Sequence, residues 1–197
     1  MTTHIYDGTN FYNVASPGTG AVNGDFFVFT AANIDASING INQNLIIMGS
    51  DQDTLIESGG GQASYIYPEG TNDAIVPVNE GTQAIIDLGK GTILDVQNNL
   101  NGFDLLYNQP TNDPGFNLIV PQTGYDGLLF LVGVQLTTAD LTPPNGNGVQ
   151  TLTMKNGATT TDTMNVIGLG SGTLTLANAS GGVYLTQGNP FIHGVTV

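Results

Sequence analysis

Residues 49–96 read GSDQDTLIESGGGQASYIYPEGTNDAIVPVNEGTQAIIDLGKGTILDV, and the fold turns on how this stretch is parsed. It holds four short apolar runs, TLI, AIV, AIIDL and TILDV, each closed by glycine and each with an aspartate at the turn or inside the run. Brief β-branched runs punctuated by Gly, Asn and Asp are strand and turn signals. Asp53 and Asp73 are 20 residues apart, and Asp73 and Asp95 are 22 apart. An acidic residue that returns at this interval matches one coil of a β-solenoid. The expected architecture is therefore all-β, a parallel β-roll or β-solenoid, with a jelly-roll β-sandwich as the alternative because short strands with glycine turns fit both.

Outward from this stretch the same grammar continues. Residues 4–14 (HIYDGTNFYNV) place Asp7-Gly8 between β-prone flanks, which predicts a starting hairpin. In DFFVFT, Phe26, Phe27 and Phe29 surround Val28 without polar alternation, so the strand is apolar on both faces. Such a strand is central in a core or packs into a neighbouring subunit. Residues 31–48 offer a helix start that Asn39-Gly40 interrupts, and LIIM reads as another strand. Gly102–Tyr107 and Gly124–Phe130 resemble one another at a spacing of 22. The coil length thus persists to residue 130. Pro143-Pro144-Asn145-Gly146-Asn147-Gly148 is the clearest break, since paired prolines cannot join a ladder. The expected division is a solenoid-like domain with its N-terminal hairpin over 1–142, a linker over 143–148, and a β-meander over 149–197.

Composition narrows the partners. The 197 residues hold two lysines, no arginine and sixteen carboxylates, for a formal net charge of −14. Nucleic acid and anionic lipid need Lys and Arg, so both are excluded as primary partners. Self-repulsion of this size favours counter-ions at the acidic turns, with calcium the natural candidate. Cysteine is absent, which removes disulfides and thiolate metal sites. The N-terminal MTTHIYDGTNFYNV has neither a basic nor an apolar leader region, so export without a cleaved leader of that kind is expected. The longest apolar stretch, Leu128–Val134, is far short of the roughly 18 residues a membrane span needs, and no membrane insertion is expected.

Two features are similar to the calcium-binding β-roll proteins exported by type I secretion, the repeats-in-toxin family. Gly49-Ser50-Asp51-Gln52-Asp53-Thr54-Leu55, Gly70-Thr71-Asn72-Asp73-Ala74-Ile75 and Gly102-Phe103-Asp104-Leu105-Leu106 resemble the family's Gly-Gly-x-Gly-x-Asp-x-Leu repeat. They lack its double glycine and do not run in tandem. The second feature is Leu131-Val132-Gly133-Val134 with Asp140-Leu141-Thr142, a pattern that often follows the last coils in that family. The apolar tail FIHGVTV also looks like an uncleaved type I export signal. The resemblance implies a secreted or cell-surface protein that folds when it meets calcium outside the cell.

For individual residues two readings stand side by side. Asp51, Asp53, Asp73, Asp87, Asp95, Asp104 and Asp126 are candidate calcium ligands, or turn residues bonded to backbone amides. Tyr65 and Tyr67 share one face of a strand and are candidates to stack on a sugar ring, or ordinary packing residues. His4 and His193 lie near opposite termini, and no serine or cysteine nucleophile motif is present. The chain is therefore expected not to be an enzyme. Phe26, Phe27 and Phe29, with Phe191, Ile192, Val195 and Val197 of the tail, are candidates for assembly. The expected function is an extracellular structural or adhesive protein that self-assembles into a surface layer, filament or matrix, stabilised by calcium. A carbohydrate-binding module is the first alternative, with extracellular polysaccharide as partner, and a polysaccharide-acting enzyme on a β-solenoid the second.

Overall fold

The computed structural model describes residues 2–7, 12–15, 24–39, 44–49, 51–58, 64–78, 84–88, 91–99, 102–107, 116–122 and 124–197. Every regular element among them is a β-strand, and no helix is long and apolar enough to cross a membrane. Successive strands fall alternately into two sheets. β1 (Thr3–Tyr6), β3 (Phe26–Phe29), β5 (Leu45–Met48), β7 (Tyr65–Pro68), β9 (Ala84–Asp87), β11 (Phe103–Tyr107) and β13 (Leu128–Val132) lie side by side in the first sheet. β2 (Tyr12–Ala15), β4 (Asp35–Asn39), β6 (Thr54–Ser58), β8 (Ala74–Val78), β10 (Ile93–Asp95) and β12 (Asn117–Ile119) lie side by side in the second. All these neighbours run parallel. A chain that adds one strand to each sheet per circuit is a β-solenoid, and the sandwich alternative falls with its antiparallel pairing.

Registers fix the coil length. Thr54 lies opposite Ala74 and Ala74 opposite Ile93, steps of 20 and 19 residues. The steps from Ile93 to Asn117 and from Phe103 to Leu128 are longer, at 24 and 25 residues. Like therefore stacks on like through the core. Phe27, Ile46, Ile66, Ile86, Leu106 and Leu131 form one inward row. Leu55, Ile75, Leu94, Leu118 and Val166 form the facing row. Every member is at most 1% exposed. Burying each such side chain is worth about 1.5–3 kcal/mol, so the rows drive coil closure.

Two sequence expectations are corrected here. β1 and β2 do not form a hairpin, because β1 pairs with β3 and β2 with β4 in different sheets. Turn chemistry marks a reversal of the chain and does not say which strand receives it. The Gly102 and Gly124 segments are also not in the register that their likeness indicates: Asp104 sits opposite Leu129, three residues past Asp126.

After β13 the chain becomes an antiparallel meander that extends both sheets. β14 (Thr138–Leu141) pairs with β15 (Val149–Asn156), β15 with β16 (Thr159–Ile167), and β16 lies parallel to β12. β13 pairs with β18 (Gly182–Thr186), β18 with β17 (Thr175–Ala179), and β17 with β19 (Val195–Thr196). Residues 143–148, read as a linker, lie in the turn that joins β14 to β15. Leu152, Met164, Leu176 and Leu185 belong to the same buried cluster as the coils.

Candidate functional site

The corner that leads into the second sheet is the most ordered acidic feature. Asn33, Gln52, Asn72 and Gly91 all have positive φ, between 60° and 72°, at the same point of four successive coils. L-residues resist this conformation, and Asn and Gly accept it most readily. The residues that follow, Ile34, Asp53, Asp73 and Thr92, turn inward and are 0% exposed. Oδ1 of Asp53 accepts the Ile34 amide at 2.9 Å. Oδ1 of Asp73 accepts the Asp53 amide at 3.0 Å. Each carboxylate thus satisfies a buried amide of the preceding coil, at a bend that draws the chain away from a full ladder. Burial raises the Asp73 carboxyl to about 6, with the Asp53 charge adding to the shift.

The other five candidate ligands are dispersed. Asp51 is exposed, and its Oδ1 accepts both the amide and the hydroxyl of Thr71 at 2.9 Å. The amide bond, with the hydroxyl second, holds its carboxyl below the usual range. Asp95 lies at the end of β10 and accepts the Gln97 amide at 3.0 Å. Asp104 is buried in the other sheet, with Nδ2 of Asn99 donating to it at 3.4 Å. Asp126 is exposed beside the Asn189 side chain, which donates to its carbonyl. The Asp87 side chain lies outside the described residues. Calcium takes six to eight oxygens from one locality, and among the described residues no three of His, Cys, Asp and Glu come together. The inward aspartates are committed to amides. The sequence spacing placed Asp95 third in the stack, but Thr92 holds that position and Asp95 aligns with Val76. The legible signal was the residue two before each inward aliphatic: Asp53 before Leu55, Asp73 before Ile75, Thr92 before Leu94.

The assembly candidates divide by face. Phe27 and Phe29 are fully buried core residues and are not available at the surface, whereas Phe26 points outward. In the tail, Phe191 is 86% exposed. Val195 pairs with Leu176, and Val197 exchanges two backbone bonds with Leu174, so the tail completes the first sheet. His4 donates to or accepts from Asp25 at 3.0 Å and stacks on Phe27. It sits on β1, and His193 lies just before β19, so they are at opposite edges of a ten-stranded sheet, roughly 40 Å apart at strand spacing.

Tyr65 and Tyr67 do face the same way, outward from the first sheet. They are members of a larger surface that residue-by-residue reading missed. One outward row runs through Phe26, Leu45, Tyr65, then past Ile85 to Leu105, Phe130 and Tyr184. A second row holds Ile5, Val28, Ile47 and Tyr67. The runs FFVF, LIIM, YIYP and LLFLV, apolar at successive positions, were its signature. No family model matches the chain, and no curated protein or solved structure matches it.

Proposed function

We propose that this chain is a non-enzymatic structural or adhesive subunit that assembles with its own kind into an extracellular layer, filament or matrix. The observation that carries the proposal is the contrast between the two ends of the solenoid. At the C-terminal end the antiparallel meander continues both sheets and finishes them with the short strands β14 and β19. At the other end β1 and β2 are edge strands, and no described strand covers their outer sides. The carbonyls of Thr2 and Tyr6 accept from Phe26 and Thr30 in the neighbouring coil. By the alternation of a parallel ladder, the amides of Thr3 and Ile5 point away from it. An uncovered edge of this kind templates strand addition.

Composition supports an extracellular setting: two lysines, no arginine and no cysteine beside 28 glycines. Divalent cations, calcium among them, enter as counter-ions that lower the repulsion between copies of charge −14.

Light scattering on the full chain across a concentration series tests the proposal. Growth beyond the monomer, reduced by Thr3→Pro, is the expected result, because proline removes an outward donor and leaves the β1–β3 bonds intact. A wild-type chain that stays monomeric at millimolar concentration and moderate salt would overturn it.

A further inference from the structure

We infer that the outer face of the ten-stranded sheet is a docking surface for the same face of a second copy of this chain. The inference rests on the self-association proposed above and gives it a location. Ile5 is 63%, Tyr65 48% and Tyr107 38% exposed, three of the four exposed large apolar side chains among the described residues. Around them lie the half-buried Phe26, Val28, Leu45, Ile47, Leu105 and Phe130. Among the described outward side chains of β1, β3, β5, β7, β11, β13 and β18 none is charged.

The opposite sheet shows that this is not the general character of the surface. Its outward positions include Asp35, Asp95, Asn117, Asn165, Asp140 and Lys155, with the last two paired at 2.9 Å. Charge therefore decides the occupant. A cationic partner drawn by a net charge of −14 goes to the acidic surfaces, whereas a second acidic copy approaches with least repulsion where charge is missing. A sugar chain needs amide, carboxylate or guanidinium partners beside its stacking rings, and this face supplies only tyrosine hydroxyls.

Size agrees. Eight strands at about 4.8 Å spacing and four residues of strand length give a face of roughly 38 by 13 Å. Two such faces bury on the order of 1,000 Å², the threshold for a specific contact. Sheets pack face to face about 10 Å apart through interdigitating side chains, which the alternation of Phe26, Tyr65 and Phe130 with Leu45 and Leu105 allows.

Sedimentation velocity on the full chain, with and without Tyr65→Glu and Tyr107→Glu, tests the inference, and Asn117→Glu on the other sheet serves as control. The two face variants are expected to weaken association by about 100-fold, since each buries unpaired charge, and the control to leave it unchanged. Wild-type association by both face variants would overturn the face while leaving self-association standing. A monomeric wild type would overturn both. Hydroxyl-radical footprinting of the unmodified chain needs no folded variant: Tyr65 and Tyr107 should become protected as concentration rises. Their unchanged reactivity in associated protein would overturn the inference.

Discussion

The main-chain amide of Asp53 donates to the Asp73 carboxylate one coil further on, at 3.0 Å, in a corner where both residues are fully buried. The bond gives Asp73 a structural task and also raises its proton affinity, because burial outweighs the amide and lifts the carboxyl from 3.8 to about 6. A carboxyl raised on folding lends stability that is complete below its unfolded pKa and is lost as pH climbs through the folded one. Unfolding free energy should therefore fall by on the order of 2 kcal/mol between about pH 4 and pH 6 from this group. Urea titrations across that window check it. Asp73→Asn keeps an acceptor for the Asp53 amide and should flatten the slope. Asp73→Ala leaves that amide unpaired and should cost about 1–3 kcal/mol at every pH.

Asp162 repeats the situation in the meander. It points into the core from β16, opposite Met154, and its Oδ1 accepts the Thr163 amide at 2.7 Å. Desolvation raises its carboxyl to about 7, against the opposing effect of that amide. A carboxyl-carbon NMR titration should show one aspartate changing state near neutrality, absent from Asp162→Asn. The stability this group adds is full below about pH 4 and disappears as pH rises through 7. An Asp162 signal that moves near pH 4 would mean that the side chain reaches solvent.

The left-handed corner gives a prediction in both directions. Gln52, at φ 64°, is the one member of its column that is neither Asn nor Gly, so Gln52→Gly should raise stability by up to about 1 kcal/mol. Gly91 has φ 72°, and a Cβ there would lie 2.6 Å from Oδ1 of Asn72. Gly91→Ala should cost about 1–2 kcal/mol, part of it recovered in combination with Asn72→Gly. Thermal unfolding of the four variants measures the coupling.

If cations act as counter-ions, sodium chloride should strengthen association as the screening length falls towards about 8 Å. Calcium and magnesium should do the same at equal ionic strength. Sedimentation in chelator, then in each salt, distinguishes the cases. Growth with calcium alone would refute the counter-ion account and point to a built calcium site, as the family resemblance implies.

The coil length and the strand content were legible because a solenoid repeats its turn chemistry at a fixed interval. Register was harder to read. Asp95 matched the spacing within two residues, yet the corner is set by where the inward aliphatic falls, and Leu94 places Thr92 beside Asp73. The outward apolar face was written in FFVF and LIIM, but a strand apolar on both sides is also what a central core strand looks like. Only the parallel stacking of β3, β5 and β7 shows that Phe26, Leu45 and Tyr65 share one side.

Two self-contacts on one subunit have a consequence that either alone lacks. The β1 edge pairing with its own copy, and the apolar face packing on its own copy, are each isologous, and an isologous contact by itself closes at a dimer. Used together they alternate, and a chain of subunits grows without closing. Light scattering should then show large particles for the wild type, dimers held by the face for Thr3→Pro, dimers held by the edge for Tyr65→Glu, and monomers for the double variant. Monomers from Thr3→Pro alone would show that the face cannot hold two copies without the edge, and growth would then rest on a single, head-to-tail contact.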